Sequence, residues 1–160
     1  MPVNEHRIPD PQTFFKTITI IHLALVAGQA LFGIVAFFIT NSTSLTLRPV
    51  GDIFFYVVPL LAITGIITGN FLFKQKLNSL SENTSLKEKL SIWQTATIIK
   101  FATAEAPSLL GIAVYLITRN LFYLFVSGLV VLYFIWIGPK KENIAHDLHL
   151  SYDEKIEMDI

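Results

Sequence analysis

Hydrophobic positions in this chain fall into four long runs separated by short polar stretches. The first, residues 14–40, is interrupted only by Lys16 near its start and by His22. The second, 53–73, contains Pro59 and carries Asn70 near its end. The third and fourth, 91–118 and 120–138, are joined by little more than Arg119 and Asn120, a connection short enough to force an antiparallel pair. Each run comes near or exceeds the roughly 20 apolar residues that cross a hydrocarbon core of about 30 Å. The pattern predicts an all-α membrane protein whose four transmembrane helices occupy residues 13–138, between a polar segment, 1–12, with Pro2, Pro9 and Pro11, and a tail, 139–160. The first run is longer than the 7 to 15 apolar residues of a signal-peptide core and ends without a small-residue cleavage pattern, so it reads as a retained anchor. Gly138 and Pro139 stop the fourth run. In the tail, Ile144 and Leu148 share a helical face, and Ser151 with Glu154 has capping-box spacing, which predicts short helices there.

The runs also repeat. Setting Phe15 against Trp93 and reading on without a gap pairs Thr17 with Thr95, Thr19 with Thr97, Ala24 with Ala102, Gly33 with Gly111 and Thr40 with Thr118. After a shorter second loop, Phe55 and Tyr56 match Phe122 and Tyr123, and Lys74 falls on Lys141. Residues 15–77 and 93–144 therefore read as two tandem helical hairpins, duplicated and entering the membrane from the same side, with a parallel-repeat axis along the membrane normal.

Charge orients this arrangement. Arg7, Lys16, Lys74, Lys76, Lys87, Lys89, Lys140, Lys141 and Lys155 fall on one side of four spans, and Arg48 and Arg119 on the other. The positive-inside rule places the N and C termini in the cytoplasm. Formal net charge is zero, without the basic footprint of a nucleic-acid binder. The absence of cysteine removes disulfides, thiolate metal sites and thiol nucleophiles. No nucleophile–base pair, glycine-rich phosphate loop or zinc motif is present, so no residue offers a start for enzyme chemistry.

Candidate chemistry lies inside the spans. Glu105 sits at the middle of the third, where an ionisable side chain costs about 2.5–3.5 kcal/mol on insertion scales. Pro107 lacks an amide hydrogen and frees the carbonyl of Thr103, while Ser108 and Ile112 share a face with Glu105. A proton or sodium ion could be held there, or the acid could bind a neighbouring helix. In the repeat Glu105 falls on Ala27, Pro107 on Gln29 and Lys100 on His22, so only the second copy has the acid. Lys100 is five residues before Glu105 and is expected to snorkel toward the cytoplasm. His22 has no second histidine in another span to make a haem site, so packing or hydrogen bonding is its expected role. His22, Gln29 and Gly33 line one face of the first span, and Gly65 and Gly69 have small-xxx-small spacing in the second. Helix packing is expected at Gly28, Gly33, Gly65, Gly69 and Gly111, with Gln29 and Asn70 hydrogen-bonding across the seams. His146 and His149 lack a third metal ligand nearby and read as solvated surface.

Residues Ala102 to Ile117, ATAEAPSLLGIAVYLI, resemble the carboxylate helix of the ring-forming proteolipid subunit of rotary ATPases, in which a glutamate precedes a glycine by six residues. Glu105 and Gly111 match that spacing, and the resemblance implies a proton or sodium carrier assembled as a ring. Taken whole, the chain resembles a group of small, uncharacterised four-span bacterial inner-membrane proteins with a glutamate in the third helix, which implies a fold and a location. The reading expected from the residues is a non-enzymatic, multi-pass subunit or scaffold in the lipid bilayer. It would form a homo-oligomer or join other membrane subunits, and the alternative is the ion carrier.

Overall fold

The computed structural model describes residues 11–41, 44–47, 51–81 and 84–158, with only the backbone of Pro11, Gln12 and Glu157. Most of the proline-containing lead-in, together with Arg7 and Arg48, lies outside the described residues. The described residues form six helices and no strand: α1 Pro11–Thr40, α2 Phe54–Leu77, α3 Leu86–Thr118, α4 Leu121–Trp136, α5 Lys141–Asp147 and α6 Tyr152–Glu157. Pro11, expected in the lead-in, instead opens α1, a position where its missing N–H costs nothing.

Two further helices also outrun the apolar stretches that predicted them. α3 begins at Leu86, before residue 91, because Ser85 caps it by accepting from the Glu88 amide at 3.4 Å. α2 continues past Phe73 to Leu77, with Lys74 and Lys76 in its last turn beside the negative end of the helix dipole. Polar side chains end a membrane-buried segment without ending the helix. α1, α2 and α3 are each long and apolar enough to cross a membrane, so the chain is a multi-pass membrane protein. α4 is shorter than the expected 120–138. Its 16 residues reach about 24 Å, and it counts as a span only together with α5, from which it is bent by 76°. The break falls at Gly138 and Pro139, where the stop was expected.

α3 is the hub. It packs against α2, α4 and α1, whereas α1 and α2 share no comparable interface. The first tandem pair is thus not a closely packed hairpin; α1 lies on α3 and α4. The pattern of burial explains this: α3 has Trp93, Phe101, Ser108, Ile112 and Tyr115 buried along its length, while α2 buries only Val58, Ala62 and Gly69. α1 and α3 run in the same direction. Phe14 meets Trp93 (ring centroids 6.2 Å), His22 meets Phe101 (5.0 Å) and Gly33 faces Ile112, each pair 79 residues apart.

The tail is part of the fold. Ile144, Leu148, Leu150 and Met158 join one hydrophobic cluster with Phe14, Ile18, Leu90 and Trp93. The capping box of Ser151 and Glu154 forms as expected, and Glu154 also receives Lys89 Nζ at 2.8 and 3.0 Å. The Trp93 indole donates to Asp147 Oδ2 at 3.2 Å. At the opposite end, Arg119 adopts φ 56° to close α3, and buried Asn120 caps α4 through Phe122 N. Asn120 also exchanges hydrogen bonds with the Thr46 backbone, and the Tyr123 hydroxyl donates to Asp52.

Candidate intramembrane site

His22 bridges α1 and α4. Its Nε2 lies 2.8 Å from the carbonyl oxygen of Phe134, and since a carbonyl only accepts, Nε2 carries the hydrogen. Phe134 is in the last turn of α4, where carbonyls run out of intrahelical donors, and the break at Gly138–Pro139 removes the next ones. The imidazole fills that vacancy from α1, stacks on Phe134 (ring centroids 4.9 Å) and meets Phe101 at a tilt (5.0 Å), so that the three rings form one cluster. Gly138 leaves the room: a Cβ there would come within 3.0 Å of the ring.

The seam between α2 and α3 depends on small residues. A Cβ at Gly65 would lie 2.5 Å from the Thr103 carbonyl and 3.0 Å from Pro107, and one at Gly69 would collide with Thr103 Oγ1. The carbonyl that Pro107 frees is therefore turned toward α2. Thr103 and Glu105 are two residues apart and face different sides of the helix, so the expected cradle of acid and bare carbonyl does not assemble. Thr103 Oγ1 is occupied by the carbonyls of Ile99 and Lys100, both at 3.0 Å. Gly111 sits against Ser127, and Gly33 faces Ile112 and Leu124 in ordinary contact. Gly28 does not pack: nothing lies within 4 Å of a Cβ there.

Asn70 bonds across a helix seam as expected, donating to Tyr133 Oη at 2.9 Å. Gln29 does not. Its amide reaches back to Leu25 O at 3.4 Å, and its Oε1 is buried without a partner. Ser108, 79 residues on and so level with Gln29, has a buried hydroxyl without a partner, while its carbonyl accepts from Ser127 Oγ at 3.0 Å. Gln29 also lines a groove of about 580 Å³ between α1 and α4, with Gly33, Phe37 and Gly128 on its walls.

Glu105 is half-buried at a rim of α3. On one side lie Phe101, Ser108 and Ile112, which face α1; on the other lies an open face with Ile98, Ala102 and Ala106. Among the described residues no hydrogen bond or ion pair reaches its carboxyl group. By helical geometry Ala24 and Gly28, both exposed, lie on the side of α1 away from the α4 groove, which is the side of Glu105. Lys100 is not its partner. The Lys100 ammonium lies 5.0 Å from the Phe73 ring centroid, turned toward the end of the bundle that carries α5, as snorkelling requires. His146 and His149 are exposed, and no group of three metal-ligating side chains occurs among the described residues.

The Trp93–Asp147 and Tyr123–Asp52 contacts were missed in the sequence. A tryptophan and a tyrosine at span ends were the available signal, since their polar tips need partners where the ring is buried. No protein-family model, curated protein or solved structure matches this chain.

Proposed function

We propose that this protein is a non-catalytic subunit or scaffold of a bacterial cytoplasmic-membrane complex, and that it receives a partner helix on the open face of α1 and α3 around Glu105. The observation that carries this reading is the carboxyl group of Glu105, within an apolar helix long enough to span a membrane, with no partner among the described residues. A polar group in hydrocarbon is costly until it is paired, and a second helix is the pairing that a bilayer provides. Ala24, Gly28 and Ala102 beside it are small enough to let another backbone approach. The partner is a second copy or another membrane subunit. The level contacts between α1 and α3 support the parallel-repeat reading, and the lysines gathered at the α5 end support cytoplasmic termini.

A mild-detergent pull-down tests the docking. Wild-type protein should retain its partner, Glu105→Gln should retain most of it, and Glu105→Leu should lose about 3- to 30-fold in recovery, the worth of an interhelical hydrogen bond. A photo-crosslinker at Ala102 should capture the same partner, and one at Tyr56 should not. A monomer with no co-purifying chain under all conditions would sink the proposal.

The ion-carrier alternative has one observation in its favour, the unpartnered Ser108 hydroxyl one turn from Glu105. Fast, pH-dependent carbodiimide labelling of Glu105, slowed by sodium if sodium is carried, would favour that reading. Absence of labelling in native membranes, with Glu105→Gln fully active in cells, would dismiss it.

A further inference from the structure

At the α5 end of the bundle a cavity of about 350 Å³ opens between the last turns of α2, Lys100 of α3, and α5 with the turn that follows it. Its walls differ in chemistry from the groove between α1 and α4, which is lined almost wholly by hydrocarbon. Lys74, Lys100, Asn143 and His146 are among its polar lining residues, and Phe73 and Leu77 supply apolar ones. Neither ammonium group has an ion pair among the described residues. Among the described residues the one carboxylate in the lining is Asp147; its Oδ2 accepts from the Trp93 indole at 3.2 Å, and its negative charge offsets part of the positive charge of Lys100 without contacting it and leaves that of Lys74 in excess. The half-buried Lys100 side chain places its ammonium 5.0 Å from the centroid of the Phe73 ring, a cation–π contact on the wall of the cleft.

We infer that this cleft binds a phosphate-bearing anion between Lys74 and Lys100. An exposed ammonium at Lys74 and a half-buried one at Lys100, on the two sides of one cleft, together attract a multiply charged oxyanion more than either would alone, and phosphate oxygens accept from lysine and amide donors alike. Two sources share this chemistry. One is the headgroup of an anionic phospholipid, whose chains would run along the apolar lining into the bilayer; basic pockets between membrane helices take such headgroups. The other is a small soluble phosphate compound. The site is independent of the docking face at Glu105.

The test uses the full-length protein, delipidated in mild detergent. Native mass spectrometry reads binding of phosphatidylglycerol against phosphatidylcholine, and calorimetry reads binding of inorganic phosphate and glycerol phosphate. At least one phosphate-bearing probe should bind, and Lys74→Gln with Lys100→Gln should weaken it about 30-fold, near fivefold for each charge removed. A control pair, Lys76→Gln with Lys87→Gln, removes the same charge from exposed positions outside the cleft and should leave binding unchanged. His146→Glu adds an anion at a side chain that is 88% exposed, so it spares the fold and should also weaken binding. Phosphatidylglycerol bound without the soluble probes identifies a lipid site; the reverse identifies a soluble phosphate. The inference is overturned if no phosphate-bearing probe binds, if the cleft variants bind as tightly as wild type, or if the control pair loses as much as the cleft pair.

Discussion

His22 shows how a single polar side chain in a membrane bundle acquires a purpose. Its hydrogen bond satisfies a carbonyl that α4 leaves without a donor, and the ring packs against both Phe101 and Phe134. His22→Leu keeps the volume and leaves that acceptor bare, which is expected to cost about 1–3 kcal/mol in thermal unfolding in detergent. His22→Gln, which can still donate, should recover part of that loss. The glycines sort by what stands opposite them. Gly65→Ala would press a methyl group onto the Thr103 carbonyl and is expected to destabilise by about 1–3 kcal/mol. Gly28→Ala meets nothing and should be neutral or stabilise by up to about 1 kcal/mol through helix propensity, unless a bound partner helix occupies that space. Comparing its effect with and without the partner reports on the docking face directly.

Among the elements, α6 has the most defined electrostatic tether. Burial works to raise the Glu154 carboxyl, but the hydrogen bond and charge of Lys89 and the bonds from Ser151 outweigh it and hold the group below its ordinary value. A carboxylate depressed in the folded state stabilises that state fully above its ordinary pKa, and the contribution fades as pH falls through the folded value. α6 should therefore loosen from α3 in acid and stay docked at neutral pH. Hydrogen exchange of the α6 amides should rise as pH is lowered below the ordinary carboxylate range, after correction for intrinsic exchange. Glu154→Gln should remove that pH dependence while making exchange faster at neutral pH. At α4 the element scale explains what hydropathy could not. The run 121–137 is almost wholly apolar, but Gly138 and Pro139 turn the chain and the helix stops at Trp136.

At the scale of the whole molecule, the tail closes one end of the bundle. Ile144 is fully buried against the cluster that contains Phe14, Ile18 and Trp93. Ile144→Ala is expected to cost about 2–5 kcal/mol, the range for a core truncation. Its fluorescence should change as well, since Trp93 would gain access to water while Trp136, already exposed, would not. An unchanged melting temperature and emission maximum would show that the tail is not held in place.

The helices themselves were legible in the sequence because their causes are local. Apolar length, proline and glycine punctuation, the serine caps and the capping box at Ser151 all act within a few residues of the positions they control. The snorkelling of Lys100 and the inward face of His22, Gln29 and Gly33 follow from helical periodicity alone. Partner choice does not. His22 and Phe134 are 112 residues apart, Trp93 and Asp147 are 54 apart, and nothing near either residue names the other. Gly28 and Gly65 look alike in sequence, but one faces open space and the other a carbonyl freed by Pro107. The same holds for the acid. Its place at the middle of a long apolar helix was readable from the sequence. That Thr103 turns away from it to α2, and that its own side of the bundle is left open, was decided only when α3 became the helix on which the other three pack.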